Sequence, residues 1–274
     1  MTGAADPPAS AGTPDPAASA AEGVRFALGT LTVLPVRCDR WDRPAARRGM
    51  ECAPLAGAVV GLAAAAAGGL LLLLGAGPLL AAVAGVAVPA ALTRGLHLDG
   101  LADVADGLGS ARPADEALRI MKRSDIGPFG VVTLVLVLLT QVAALAGLYA
   151  QSWAAGATGA VLAGLTARTA LTLATRRGVP PARPEGLGAA VAGTVPVRSA
   201  GAVAAATVLV AALTGLVRGP LTALAAAASA ALALGAAEVL LRHCRRRFGG
   251  VTGDVLGALA ECAATSALLL LALG

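Results

Sequence analysis

Residues 129–150 read FGVVTLVLVLLTQVAALAGLYA, a run without a single charged side chain. A helix needs roughly 20 apolar residues to cross the hydrocarbon core of a bilayer, and this run is long enough. Comparable runs, some of them marginal, lie at 53–75, 79–96, 154–175, 199–217, 220–241 and 254–273. The pattern predicts an all-α, polytopic integral membrane helical bundle with about seven transmembrane helices.

The composition supports a membrane protein. The chain is 57% hydrophobic and only 14% charged, whereas roughly a quarter of the residues of an average soluble domain are charged. The mean hydropathy is +0.78. These values exclude an ordinary soluble domain, and the abundant Gly and Ala suit close helix–helix approach in lipid.

The N-terminal stretch differs from the rest of the chain. Residues 1–21 are rich in Ala, Pro, Ser and Gly, without Lys or Arg, and predict a disordered tail rather than a signal peptide. Residues 22–274 then form the membrane-embedded catalytic domain. Residues 22–35 are too few to span and predict an interfacial or re-entrant helix. The four cysteines form no CxxC pair, and we expect them to be unpaired.

The charges are distributed unevenly between the loops. Tight turns alternate with long basic connections, which lie at 37–48, 97–128, 176–198 and 242–253. Seven spans place all four basic loops on one side, and the positive-inside rule makes that side cytoplasmic. We therefore expect a multi-pass protein of the cell (inner or plasma) membrane with its active face toward the cytoplasm. We expect the lipid bilayer as a partner and no nucleic acid, and a homo-oligomer is an open alternative.

Three aspartates follow the second apolar run. Asp99, Asp103 and Asp106 are spaced so that a helix would carry them on one face, where their charges repel unless a cation neutralises them. Mg²⁺, which prefers carboxylate, water and phosphate oxygens, is the natural candidate. The alternative is a solvated loop in which the acids cap helices or balance arginines. His97 is a candidate general base or metal ligand, with a structural role favoured.

A second candidate region follows the aspartates. Residues 113–123 predict a short helix whose basic end leads into a Gly/Pro hinge before the third span. Lys122 and Arg123 are candidates for contacts to phosphate oxygens. Anchoring of the chain by positive charges at the inner leaflet explains them equally well.

The third region opens the last span. Gly250, Thr252 and Gly253 predict backbone amides at a helix N-terminus that could face a phosphate, although Thr252 or Asp254 could simply cap the helix. Asp254 is a candidate metal ligand. Two charges lie deeper within predicted spans, Glu261 as a candidate catalytic acid and Arg168 as its partner or as a phosphate ligand.

Several sequence blocks, in order along the chain, resemble those of one enzyme family. They are Thr32–Val36, Pro54-Leu55-x-Gly57, Gly95–Gly107, Ile120-Met121-Lys122, Ile126-Gly127-x-Phe129-Gly130, Arg168, Ala182-Arg183, Gly186-Leu187-Gly188 and Gly249–Ala258. Over residues 24–273 the chain resembles cobalamin synthases, the adenosylcobinamide-GDP ribazoletransferases. Ala53 stands where that family usually has Phe, Arg123 and Asp125 exchange acid and base, and the tyrosine usually found before Ala182-Arg183 is missing.

The resemblance implies an integral membrane enzyme that requires Mg²⁺. Its reaction joins adenosylcobinamide-GDP to α-ribazole, or to the 5′-phosphate of α-ribazole, and releases GMP. On this interpretation Asp99, Asp103, Asp106 and Asp254 hold the metal and Lys122, Arg123, Arg168 and Arg183 contact phosphates. Asp254, Glu261 or His97 accepts the hydroxyl proton.

Three other classes of protein compete with this interpretation. The aspartates loosely resemble the Asp-rich motif of CDP-alcohol phosphotransferases, but the Arg and the Gly-x₃-Asp-x₃-Asp spacing of that motif are missing. A multi-span transporter would show internal repeats and acids in both membrane halves, which this sequence lacks. A membrane scaffold would leave the aligned aspartates unexplained.

Overall fold

A computed structural model describes residues 17–274, and within them the chain folds into eleven helices. In chain order they are α1 (Ala20–Leu31), α2 (Arg43–Leu73), α3 (Pro78–Leu92), α4 (Leu96–Gly109), α5 (Ala114–Ile120), α6 (Pro128–Gln151), α7 (Trp153–Ala174), α8 (Gly186–Val191), α9 (Val197–Leu216), α10 (Pro220–Phe248) and α11 (Gly253–Leu273). The predicted all-α membrane bundle is confirmed.

Six of these helices, α2, α6, α7, α9, α10 and α11, are long and apolar enough to cross a membrane. The predicted span at 79–96 is different, because α3 has only 15 residues and the chain turns by 88° before α4 continues. Counting α3 and α4 as one broken span gives seven crossings. The break occurs at Arg94 and Gly95, both of which have positive φ angles that an α-helix cannot contain.

The N-terminal helix packs on the first turns of α2. Ser19 caps α1 through a reciprocal capping box with Glu22, so α1 already includes the last two residues of the tail predicted at 1–21. The remainder of that tail, residues 1–16, lies outside the described residues. Arg40 joins the two helices, because it pairs with Glu22 at 3.2 Å and with Asp42 at 2.7 Å. The hydrogen bonds from Arg40 lower the pKa of Asp42, so this pairing persists at neutral pH.

The basic loops contact one another at one end of the bundle. Arg43 donates a hydrogen bond to the carbonyl of Ala192 at 3.2 Å, and Arg245 donates to the carbonyl of Gly178 at 2.9 Å. The predicted short helix at 113–123 is confirmed as α5 at this same end. The four cysteines are free, as expected. One end of the molecule therefore carries the long polar connections.

Close contact between backbones holds α2 against α7. A β-carbon built on Gly57 would overlap the carbonyl oxygen of Gly164, and a β-carbon on Gly164 would overlap the carbonyl oxygen of Gly57. The hydrophobic effect does not drive helices together in lipid. Helices associate there through close packing, which such small residues permit. The α2–α7 crossing therefore requires glycine at both positions.

We expect Gly57→Ala to destabilise the protein by about 1–3 kcal/mol, because the added methyl group must push apart two backbones that cannot relax independently. The measurement is thermal unfolding in detergent. Gly69→Ala on the same helix is the matched control, since a β-carbon there meets nothing within 4 Å. Equal melting temperatures for the two variants would contradict the proposed crossing.

Candidate active site

The short helix α4 lies against the N-terminal half of α11. A β-carbon on Gly100 would come within 2.9 Å of the Asp254 α-carbon, and one on Gly257 would come within 3.1 Å of the His97 α-carbon. Glycine on each helix therefore lets the two backbones touch. This contact places the acidic face of α4 beside Asp254.

Three carboxylates share this contact region. Asp99 is exposed, whereas Asp103 and Asp254 are half-buried. The charge of Asp103 is repelled most by Asp254 and then by Asp99, and it is attracted by Arg183. The structure thus brings together two of the predicted metal ligands from α4 and a third from α11.

Asp106 has a different role from the predicted one. Its two carboxylate oxygens accept hydrogen bonds from the backbone amides of Gly127 at 2.7 Å and Gly130 at 2.9 Å. These amides lie at the N-terminus of α6 and have no partner within that helix. Asp106 is buried and caps α6, so the expected metal and catalytic assignments are corrected here to a structural one.

Arg183 is the cation closest to the carboxylates. Its guanidinium lies 3.5 Å from the Asp254 carboxylate and also donates a hydrogen bond to the carbonyl oxygen of Leu118. The Thr252 hydroxyl donates to the same carboxylate at 3.2 Å and accepts from the amide of Val255 at 3.1 Å. Thr252 is therefore the N-cap of α11, as the structural alternative predicted, and its hydroxyl is already used.

The glycines before α11 do not act alike. Gly250 is buried against the loop at 180–182, where a β-carbon would overlap the Pro180 carbonyl, so its expected role in binding phosphate is corrected to packing. Hydrogen bonds of 2.9 Å between Val251 and that loop hold the contact together. Gly253 remains half-buried at the edge of a cleft beside Asp254.

The basic residues after α5 lie at the surface. Lys122 forms an exposed ion pair with Glu185 at 3.2 Å. Arg123 is also exposed and lines a cleft together with Asp99 and Asp103. Arg123 can therefore reach an incoming anion at the edge of the site directly, and Lys122 can do so by giving up its exposed ion pair.

Arg168 and Glu261 lie apart from the carboxylates, around a small inner cavity of about 50 Å³ between the spans. The two charges attract each other. Gln141 donates hydrogen bonds to Glu261 at 2.8 Å and to Thr265 at 2.9 Å. Arg168 therefore does not contribute a phosphate ligand beside Arg183, and Glu261 does not join the metal candidates.

His97 lies at the base of the site and is almost wholly buried. Among residues 17–274, its Nδ1 atom and the Nε atom of Arg168 are buried without a hydrogen-bond partner. His97 lines a cleft beside Asp99 and Asp254, and its charged form would be repelled by Arg168. This placement supports a structural or positioning role.

Gln141 was not identified from the sequence. The available signal was a single amide side chain in the uncharged run at 129–150, where polar groups are costly and usually bind a partner.

Two clefts have Asp99 in their walls. The larger, of about 730 Å³, includes Asp103 and Arg123. The smaller, of about 260 Å³, includes Asp254 and Arg183. Asp99 lines both clefts, so a group held there is accessible from either cleft.

The donor set fits Mg²⁺ in chemistry, although it does not form a closed cage. Asp99, Asp103 and Asp254 supply hard oxygen atoms and an excess of negative charge that Arg183 alone does not balance. Within the described part of the chain, no three His, Cys, Asp or Glu side chains converge closely enough to hold a metal. Mg²⁺ usually takes one or two carboxylates and completes its shell with water and substrate phosphates, and this arrangement is compatible with that.

The sequence matches a known family over almost its full length. The model of the cobalamin-5-phosphate synthase family matches residues 23–272. An adenosylcobinamide-GDP ribazoletransferase from Frankia casuarinae is 45% identical over 91% of this chain and 94% of its own length. Proteins of that name from a Nocardioides species and from Pseudomonas aeruginosa are 41% and 39% identical, over 89% and 90% of this chain and 96% of their own lengths. No solved structure matches. The chain therefore belongs to the cobalamin-5-phosphate synthase family.

Proposed function

We propose that this protein is an adenosylcobinamide-GDP ribazoletransferase that works with Mg²⁺ at the cytoplasmic face of the cell membrane. It transfers the adenosylcobinamide phosphate group to α-ribazole, or to α-ribazole 5′-phosphate, and releases GMP. The names of the relatives support the reaction. The observation that carries the site assignment is the group of Asp99, Asp103 and Asp254 beside Arg183, in which Asp99 lines both clefts.

The reaction exchanges one phosphate bond for another. The acceptor's ribose hydroxyl oxygen forms a bond to the phosphorus on the cobinamide side, and the bridging bond from that phosphorus to the oxygen of GMP breaks. GMP leaves with the electron pair, and the hydroxyl proton passes to a carboxylate or to water. Such transfers depend on in-line positioning and charge stabilisation more than on covalent help from the protein.

One or two of the carboxylates of Asp99, Asp103 and Asp254 would hold Mg²⁺, together with water and substrate phosphate oxygens. Bound there, the ion would neutralise charge that develops on the leaving phosphate oxygen. Asp103 is half-buried among like charges and lies at the edge of the larger cleft.

Arg183 binds phosphate with little rearrangement. It is held in place by the Leu118 carbonyl and the Asp254 carboxylate, so its orientation is set before substrate arrives. Arg123 and Lys122 extend the positive charge outward at the exposed rim. Lys122 exchanges its ion pair with Glu185 for a phosphate at small cost, because an exposed pair contributes little to stability.

The cytoplasmic orientation rests on charge. The carboxylates occupy the end of the bundle that carries the basic loops, and the positive-inside rule assigns such loops to the cytoplasm. The donor substrate is a large charged nucleotide, which agrees with this side. The family match disfavours the transporter, CDP-alcohol phosphotransferase and scaffold alternatives, none of which accounts for it.

Purified protein supplied with adenosylcobinamide-GDP, α-ribazole and Mg²⁺ is expected to release GMP, because each substrate then meets the site that the carboxylates define. Chelation with EDTA should stop release, and added Mg²⁺ should restore it. GMP is followed by liquid chromatography. A CDP-alcohol in place of the cobinamide nucleotide is the control, and turnover with it would favour the competing phosphotransferase class.

Asp103→Asn is expected to lower kcat by at least about a hundredfold while the melting temperature stays near that of the unaltered protein, because the change removes charge without removing volume. Asp106→Asn is the matched control. It retains one acceptor for the α6 amides and loses the other, which should cost about 1 kcal/mol of stability.

Measuring kcat and thermal unfolding for both variants separates the two aspartates. Turnover per folded molecule should fall far less in Asp106→Asn than in Asp103→Asn. An Asp103→Asn variant that keeps its kcat would remove this carboxylate from the reaction, and an Asp106→Asn variant that loses only kcat would return Asp106 to the metal site.

A further inference from the structure

The two clefts beside Asp99 differ in size and in the chemistry of their walls. The smaller cleft holds about 260 Å³ and is walled by the apolar side chains of Met50, Leu171, Leu187 and Leu256. It lies below the roughly 300–1,000 Å³ that sites for drug-sized ligands occupy. A corrinoid ring system cannot enter such a space, whereas a flat aromatic base fits it.

The polar groups of the smaller cleft are Asp99, Asp254, Arg183, Thr252 and His97, with Glu185 beside them. Thr252 is bonded to Asp254 and to the amide of Val255, and Glu185 is paired with Lys122, which leaves Asp99, Asp254, Arg183 and His97 as the groups available to a ligand. A ligand whose base contacts the leucines would therefore direct its sugar toward the carboxylates. This is the orientation that a nucleoside needs for its hydroxyl to reach a phosphate beside Asp99.

The larger cleft is wider and its wall is more polar. Its volume is about 730 Å³, and its wall includes the polar side chains of Thr30, Thr32, Arg94, Arg123 and Ser124. It opens beside Asp99 and Asp103, where an anionic linkage would find both the carboxylate-bound cation and Arg123. Only this cleft has room for part of a bulky substrate that carries a nucleotide.

We infer that the smaller cleft is the binding site of the aromatic nucleoside acceptor and that the larger cleft receives the nucleotide-bearing corrinoid, with the reacting phosphate at their shared edge beside Asp99. The inference rests on the proposed function, because that function supplies one small apolar substrate and one large charged one. It makes Leu187 a specificity-determining residue for the acceptor and Ile126 a neighbour of the donor.

A pair of matched substitutions tests the assignment. Leu187 is half-buried in the smaller cleft, and Ile126 is exposed in the larger one, so both positions tolerate change better than the buried wall residues. Leu187→Trp should raise the KM for α-ribazole about tenfold or more and leave the KM for adenosylcobinamide-GDP unchanged. Ile126→Trp should show the reverse pattern.

Two controls complete the experiment. Leu213→Trp introduces the same side chain on an exposed position of α9 and should change neither KM. Leu187→Phe is the milder variant if Leu187→Trp folds poorly by thermal unfolding. Equilibrium dialysis of radiolabelled α-ribazole against each variant gives a binding readout that needs no turnover.

The outcomes separate the two hypotheses. If the unaltered protein releases no GMP from the two substrates, the proposed function fails. If it releases GMP but the Leu187 variants shift both KM values equally or only that of the donor, the reaction stands and the cleft assignment is overturned. A selective loss of α-ribazole affinity, seen in KM and in dialysis, is the result that supports it.

Discussion

The contact between α4 and α11 is the constraint on which the site depends. Gly100 lies against the backbone of Asp254, and Gly257 lies against that of His97, so the two helices meet without side chains between them. Any larger residue at either position would separate the helices and carry Asp99 and Asp103 away from Asp254. Backbone packing therefore holds the carboxylates close together despite their mutual repulsion. A bound cation would relieve this repulsion, which favours cation binding at this site.

The spans were largely predictable because each is a long apolar run, and the boundaries were not. α2 begins ten positions before the expected start at residue 53, and α10 continues to Phe248 rather than ending at 241. Both extensions contain basic side chains, which can continue a helix beyond its apolar part as readily as they end it. The break between α3 and α4 was missed. Arg94 adopts a positive φ there, a conformation that composition does not reveal for a residue other than Gly.

The aspartates show what helical periodicity can and cannot predict. Asp106 follows Asp103 by three residues, which places the two side chains about 60° apart around α4. That arc counts as one face, yet it is wide enough to meet two different neighbours. Asp103 faces α11, and Asp106 reaches the opening amides of α6. Sequence alone contains the spacing but not the positions of those neighbours, so the metal ligands and the capping residue look alike.

The inner pair of charges is best understood through α4 as well. Leu98 lines both the larger cleft and the cavity that holds Arg168 and Glu261. One side of this short helix therefore faces the reaction, and the other faces two opposite charges buried among the spans. Charges are retained at such depth only when partners stabilise them, and here Gln141 supplies a hydrogen bond to Glu261. Arg168 lies close enough to act electrostatically on His97, the first buried residue of α4. A role in positioning α4 accounts for both inner charges, because Arg168 and Glu261 line the inner cavity and neither lines the two clefts beside Asp99.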